Sequence, residues 1–582
     1  MKKITILLAL VLAVSACTDS ADKKSTTDMN AAFDHYKEGF VESLWKVFPT
    51  WASSQGYHRY DSVLVVPDDA ERAKELAFAQ ANLDSLKAYQ PETLNDNNQT
   101  DYHMIDNQLQ SMIWNLTELK SFQWDPSGYN VGETFASMLA NNYDTLDTRL
   151  RNFHLRAASI PAYYAAAKMN ISSPTIEHTQ LAIDQNLGAC SVFEKDLPDA
   201  LNRSQLSDTE KKAVLARAAE AVAAMKDYAD WLKNLKNDQP RPFRLGKELY
   251  AKKFAFDIQS RFSPEEIYAQ AVAHKKELHG EMAKLARQLW GRYMVDEAMP
   301  ADSLLMIRTM IDRISKKHVA PDSFQTAIEH QLPALQKFVQ DKNLLYIDPA
   351  KPLIVRREPD YMAGVAGASI SAPGPYDKEG NTYYNVGSLS GWDKDQTESY
   401  LREYNHYILQ ILNIHEAIPG HYTQLVYSNQ SPSLIKSLFG SSSMVEGWAV
   451  YTERMMLEEG YGGNEPEMWL MYYKWNLRST CNTILDYSVH TGNMSKEEAM
   501  NLLVNEAFQQ KAEAEGKWKR VSVTQVQLCC YFTGYTEIYD LRKELKAKMG
   551  DRFNLKAFHE KFLSYGSAPV KYIRELMLKE LK

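Results

Sequence analysis

From about Ala31 to about Tyr346, apolar residues recur at helical spacing in a background of Ala, Leu, Lys, Glu and Gln, as in Glu210 to Leu235 and Ser263 to Leu289. A period near 3.6 residues hides one stripe of a helix and no face of a strand, so this half of the chain is committed to packed helices. Short breaks at Asn170 to Pro174 and Asp238 to Pro242 separate helices rather than domains, and no fixed-period self-similarity marks a solenoid. The 582 residues, 45% hydrophobic and 24% charged, are those of a globular protein and exclude disorder of the whole.

The texture changes at about Lys351. Leu353-Ile354-Val355 is rich in β-branched residues, Ala368 to Ala372 alternates, and Thr382 to Val386 is a strand-like aromatic run, with Gly and Pro between them. These predict a small antiparallel sheet over about 351–390, either a hairpin that closes the core or an edge offered to an extended substrate. From Glu398 the helical pattern returns and runs to the end. The expected architecture is mainly α: one large domain over 31–582, with a helical array over 31–350, the sheet, and a last set of helices over 398–582.

Met1 to Ala16 places Lys2 and Lys3 before an apolar run too short for the roughly 20 residues of a membrane span, so it reads as a secretory signal. The run ends Val14-Ser15-Ala16-Cys17, which resembles the lipobox of bacterial lipoproteins. That resemblance implies cleavage after residue 16, a lipid on Cys17, and a flexible tether over 17–30 made of small polar residues. An exported, envelope lipoprotein is expected, held in the outer membrane and facing the periplasm if the cell is Gram-negative, because no Asp directly follows Cys17. Loss of Lys2 and Lys3 takes the formal charge from -8 to -10, and no long basic block remains. Nucleic acid is therefore excluded as a partner, the membrane is reached through the lipid, and a peptide or another small amide is the fitting substrate. Cys190, Cys481, Cys529 and Cys530 show no CxxC spacing and signal neither a disulfide framework nor a thiolate metal site.

The chemistry is carried by His415-Glu416-Ala417-Ile418-Pro419-Gly420-His421. Two imidazoles are zinc ligands by type, and a Glu beside the first can act as base on water next to a metal. In the HExxH motif the histidines lie one turn apart, whereas His415 and His421 are six apart, about 240° around an ideal helix. Pro419 cannot donate to the carbonyl of His415 and its ring crowds it, while Gly420 tolerates almost any backbone angle. The helix is thus predicted to bulge or break there and return His421 to its partner's side. Glu446, on a following helix, is the candidate third ligand. Glu453 lies two turns further on the same face, either to orient a ligand from behind or as a surface carboxylate. Asp486 and His490 form an i, i+4 pair in which the carboxylate can fix the imidazole's tautomer or charge, with a solvated ion pair as the plain alternative.

These segments resemble the bacterial family known as domain of unknown function 885, whose members carry HEAxPGHH, EGWAxYxE, a later Arg, Asp and His, and a closing PGQAxxYxxG run followed by LR. Here the counterparts are 415–422, 446–453, Arg478, Asp486 and His490, then Gln527, Tyr531, Gly534 and Arg542. Tyr422 stands where the family has a second His, which favours His421 as ligand, and Gln525-Val526 stand where it has Pro-Gly. The family in turn is similar to the helical gluzincin metallopeptidases. That similarity implies a zincin-like helical fold, one Zn²⁺ held by His415, His421 and Glu446, and Glu416 as general base. It further implies His490 or Tyr531 as oxyanion donor, with Glu453, Arg478, Asp486 and Gln527 in support. The competing expectation is a non-catalytic envelope lipoprotein that binds peptides or a protein partner around a structural metal site.

Overall fold

A computed structural model describes residues 26–358, 368–377, 380–431 and 433–581. Cys17, the signal segment and the first part of the expected tether lie outside the described residues. The first helix, α1 (Thr26–Val47), begins within the stretch expected to be tether.

The helical array forms as its periodicity predicts. α2 (Asp208–Asn234) starts with a capping box between Ser207 and Glu210 and buries Val214, Ala218, Ala221, Met225, Tyr228 and Leu232 along one stripe. α3 (Pro264–Tyr293) repeats the device with Ser263 and Glu266, adds Pro264 at its first turn, and buries Ile267, Ala271, Leu278, Met282, Ala286 and Leu289. α2 closes a core of its own around Phe135, Phe153 and Phe193, whose ring centroids lie 4.7 to 5.4 Å apart. α3 belongs to the larger core, which also receives the C-terminal helices.

Among the described residues three strands precede those helices: β1 (Leu353–Arg357), β2 (Ala368–Ser371) and β3 (Thr382–Val386). The strand positions match the sequence expectation, but the sheet is mixed rather than antiparallel. Its order is β1-β3-β2, with β3 antiparallel to β2 and parallel to β1. Alternation and β-branching mark a strand without saying which edge it joins, and here β3 inserts between its two predecessors.

α4 (His406–Glu416) buries Ile408, Leu409, Ile411, Leu412 and Ile414, a helix enclosed on nearly all sides. The side chain of Asn405 accepts from the N–H groups of Tyr407 and Ile408 and so caps its start. The buried hydroxyl of Tyr384 on β3 donates to Asn413 Oδ1 at 2.8 Å, which ties the sheet to α4. The remaining helices named below are α5 (His421–Asn429), α6 (Ser442–Glu458), α7 (Pro466–Gly492), α8 (Lys511–Val523), α9 (Cys530–Met549) and α10 (Leu555–Ser564). α6 and α9 cross at Gly447 and Gly534, where a Cβ on Gly534 would lie 1.8 Å from the Ser443 carbonyl oxygen. This close approach fixes the turn of α6 that carries Glu446.

Candidate metal centre

The chain breaks between the two histidines as Pro419 and Gly420 predict. α4 ends at Glu416, and both Ala417 N–H and Ile418 N–H donate to the Asn413 carbonyl, at 3.0 and 3.1 Å. Pro419 has no N–H to extend the ladder. Gly420 N–H then donates back to Ile414 O at 3.0 Å, and α5 starts at His421. Only glycine fits at 420, because a Cβ would stand 1.8 Å from the His415 carbonyl oxygen. Trp448, wholly buried on α6, donates Nε1–H to the Pro419 carbonyl at 2.9 Å and pins the break from the other side.

Restarting the helix at His421 brings the ligand candidates together. Nitrogen atoms of His415 and His421 and an oxygen of Glu446 all lie within 4.8 Å of one another. Glu446 Oε2 is 3.6 Å from His415 Nε2 and 3.4 Å from His421 Nε2. Tetrahedral bonds of about 2.0–2.2 Å require ligand atoms roughly 3.3–3.6 Å apart, so these two edges already have the spacing of a zinc site. Side-chain exposures of 10%, 12% and 22% leave the three groups enclosed yet reachable. Behind His415, Glu453 Oε1 lies 2.7 Å from Nδ1 and also accepts Trp475 Nε1–H at 2.9 Å. With Nδ1 protonated toward Glu453, the lone pair of Nε2 faces the centre, the tautomer a metal requires. A residue-type set of two imidazoles and a carboxylate, at these separations and with this orienting carboxylate, fits Zn²⁺. Tyr422, in the position of the family's second His, turns its hydroxyl to the Lys351 carbonyl.

The electrostatics follow from burying acids among imidazoles. Burial pushes His415 down, but Glu446 and Glu453 outweigh it and raise the metal-free imidazole to about 10. Burial pushes Glu446 up, and the two histidines overcome this and hold its carboxyl well below the usual range. Glu416 moves the other way: burial raises it, only partly opposed by His415 and His421. A carboxyl raised beside a metal cage is suited to taking and returning a proton.

The other predicted residues divide. Tyr531 lies in reach of the field of Glu446, and burial and that carboxylate both raise its phenol, which stays protonated and able to donate. Arg520, which the sequence did not single out, donates to both Gln527 Oε1 at 2.7 Å and Tyr531 Oη at 3.2 Å. Arg478 pairs with Glu513 at 2.6 Å and stacks over Trp475, the indole that holds Glu453. His490 is a correction. Its Nε2 faces the carbonyls of Val521 and Thr524, at 3.0 and 3.1 Å, so its N–H is committed to the end of α8 and not to an oxyanion.

Asp486 does not hold that imidazole either. Its two oxygens accept from Val526 N–H at 3.0 Å and Leu528 N–H at 2.9 Å, which fastens the turn that delivers Gln527 and Tyr531. The same turn suits the glycine that the family has at 526 and not the valine found here: Val526 has φ +70°, a left-handed conformation that glycine adopts freely and a β-branched residue adopts at a cost of about 1–3 kcal/mol.

Fold and site together define a chiefly helical protein with a His₂Glu cluster shared between a broken helix and its neighbour. The chain belongs to the family of bacterial proteins of unknown function called DUF885, whose model matches residues 49–577. It is 55% identical to a solved protein from Shewanella oneidensis described as a "putative lipoprotein of unknown function", with a TM-score of 0.86 over 94% of this chain and 99% of that one. A second solved structure, described as the "putative lipoprotein" from Colwellia psychrerythraea, shares the fold at 15% identity, with a TM-score of 0.77 over 96% of this chain and 99% of that one. Among curated proteins none matches.

Proposed function

We propose that this protein is a zinc-dependent peptidase with a zincin-like helical site, anchored in the cell envelope through a lipid on Cys17. The observation that carries the reading is the spacing of His415, His421 and Glu446 at the edges of a tetrahedral zinc site, with Glu453 orienting the first imidazole. Zinc held by these three residues supplies Lewis acidity toward water and a scissile carbonyl. Glu416, next in chain to His415 and raised by burial, takes the proton of the attacking water and returns it to the leaving amine. Tyr531, kept protonated beside Glu446, donates to the oxyanion that develops on the carbonyl. The lipid anchor is supported by the lipobox-like 14–17 run and by the lipoprotein description of the relative that is 55% identical.

The test is digestion of a broad peptide library, read by mass spectrometry, with zinc-loaded wild type, Glu416→Gln and chelator-treated protein. Glu416→Gln keeps the shape and removes the base, so turnover should fall by about 10⁴ or more while zinc is retained. A zinc-loaded wild type that cleaves nothing would leave a metal-bearing binding protein as the reading.

A further inference from the structure

Near the metal centre lies a group of cations with too few acids. On α8, Glu513, Lys517 and Arg520 fall at i, i+4 and i+7, one face of the helix. They meet Lys474 and Arg478, themselves i, i+4 on α7. Lys474 is neutralised by Glu403 at 2.8 Å, both side chains being buried. Among the described residues, that leaves Arg478, Lys517 and Arg520 with Glu513 as the acid that faces them, fewer acids than bases.

The hydrogen bonding is as incomplete as the charge. Lys517 has a side chain only 4% exposed, and among the described residues Glu513 is the one acid in ion-pair range of its ammonium, at 3.8 Å, beyond hydrogen-bond reach. Among the described residues it donates to nothing. Arg478 spends one nitrogen on Glu513 at 2.6 Å, while its buried Nη1 has no acceptor. Burial, together with Arg478, pushes Lys517 down to about 7. An enclosed ammonium and a guanidinium nitrogen that lack acceptors are costly unless an anion completes them.

Two chains of interactions link this group to the His₂Glu cluster. Arg520 donates to Tyr531, whose phenol feels Glu446. Arg478 stacks at 4.9 Å over Trp475, which donates to Glu453, the partner of His415. Tyr531 thus stands between Arg520 and Glu446, and Trp475 and Glu453 stand between Arg478 and His415.

We infer that Arg478, Lys517 and Arg520 form a carboxylate-binding subsite for the free C-terminus of the substrate, so that cleavage is confined to the last residues of a peptide. This rests on the peptidase reading for its consequence, but binding tests it without turnover. The probes are an N-acetyl dipeptide with an apolar last residue as free acid, the same dipeptide as C-terminal amide, and an N-acetyl-Ala-Glu amide. They are titrated calorimetrically into the zinc-loaded full-length mature protein carrying Glu416→Gln.

The free acid should bind about 10- to 100-fold tighter than its amide, the range of a charge-assisted hydrogen bond or two. Adding Lys517→Met, or Arg520→Gln at the exposed end of the group should Lys517→Met fail to fold, should remove most of that preference. Equal affinity for acid and amide, including no measurable binding of either, would overturn the subsite, as would a preference that survives both substitutions. If the Ala-Glu amide matches the free acid, the site takes a side-chain carboxylate and the C-terminal assignment is wrong. Library digestion showing internal cleavage with unchanged acid preference in binding would likewise reject confinement to the C-terminus, while leaving the peptidase reading intact.

Discussion

Replacing Gly420 with Ala tests the link between the helix break and the metal. The added Cβ would sit 1.8 Å from the His415 carbonyl oxygen and 2.4 Å from that of Ile414, both backbone atoms that no rotamer change can move. Real Cβ contacts do not fall below 3.0 Å, so the two strands of backbone must separate by at least about 1.2 Å. His415 owns that carbonyl and His421 follows residue 420, so the displacement enters the distance between the two imidazoles directly. Metal sites hold their ligand distances within about 0.2 Å, and the shift exceeds that several-fold. Zinc affinity should fall by about 100-fold or more, beyond what loss of an orienting carboxylate costs, and the metal-free fold should lose about 1–3 kcal/mol to overpacking. Competition with a chromophoric chelator gives the affinity and urea unfolding of the metal-free protein gives the stability. A Gly420→Ala protein with zinc affinity within about threefold of wild type would refute the argument that this backbone approach sets the ligand geometry.

Three further expectations follow from the hydrogen bonds. Glu453→Gln keeps a partner for His415 but removes its charge, and zinc affinity should drop by about 10- to 100-fold in the same competition assay, without loss of fold. Asp486→Asn offers one oxygen where two N–H groups need acceptors, so the protein should lose about 1–3 kcal/mol in urea unfolding, with turnover falling while zinc content is kept. His559 on α10 is buried between the Leu344 carbonyl and the Tyr451 hydroxyl and is pushed down to about 3, chiefly by burial. Since its folded value lies below the unfolded value near 6.5, its contribution is intact above pH 6.5 and is lost as the pH falls toward 3. At pH 5 the loss amounts to about 2 kcal/mol, and His559→Gln should flatten that part of the pH dependence of urea unfolding; an unchanged slope would mean the imidazole titrates normally.

The parts of this protein that were legible in its sequence are those set by local pattern. Apolar spacing gave α2 and α3, and β-branched and aromatic runs gave the three strand positions. Pro419 and Gly420 announced the break that returns His421 to His415, because a missing N–H and a missing Cβ act on the backbone where they stand. What was not legible depends on which elements meet. The parallel pairing of β1 with β3 is a choice of sheet edge that no strand encodes alone. The i, i+4 spacing of Asp486 and His490 suggested a pair, yet the turn after α8 offers the carboxylate two N–H groups and the imidazole two carbonyls, and each side chain takes those instead. Trp475 and Arg520 looked like ordinary helix residues. Their roles follow from the packing of α7 and α8 against the site, a long-range consequence of the fold.

The most direct measurement of the central claim is a zinc-edge anomalous difference map from crystals of the mature protein grown with zinc. One strong peak is expected at about 2.0–2.2 Å from His415 Nε2, His421 Nε2 and a Glu446 oxygen together, and it should vanish in Glu446→Ala crystals that keep the fold. A map without a peak among these three residues, or with its peak elsewhere, would contradict the assignment of this cluster as the metal centre.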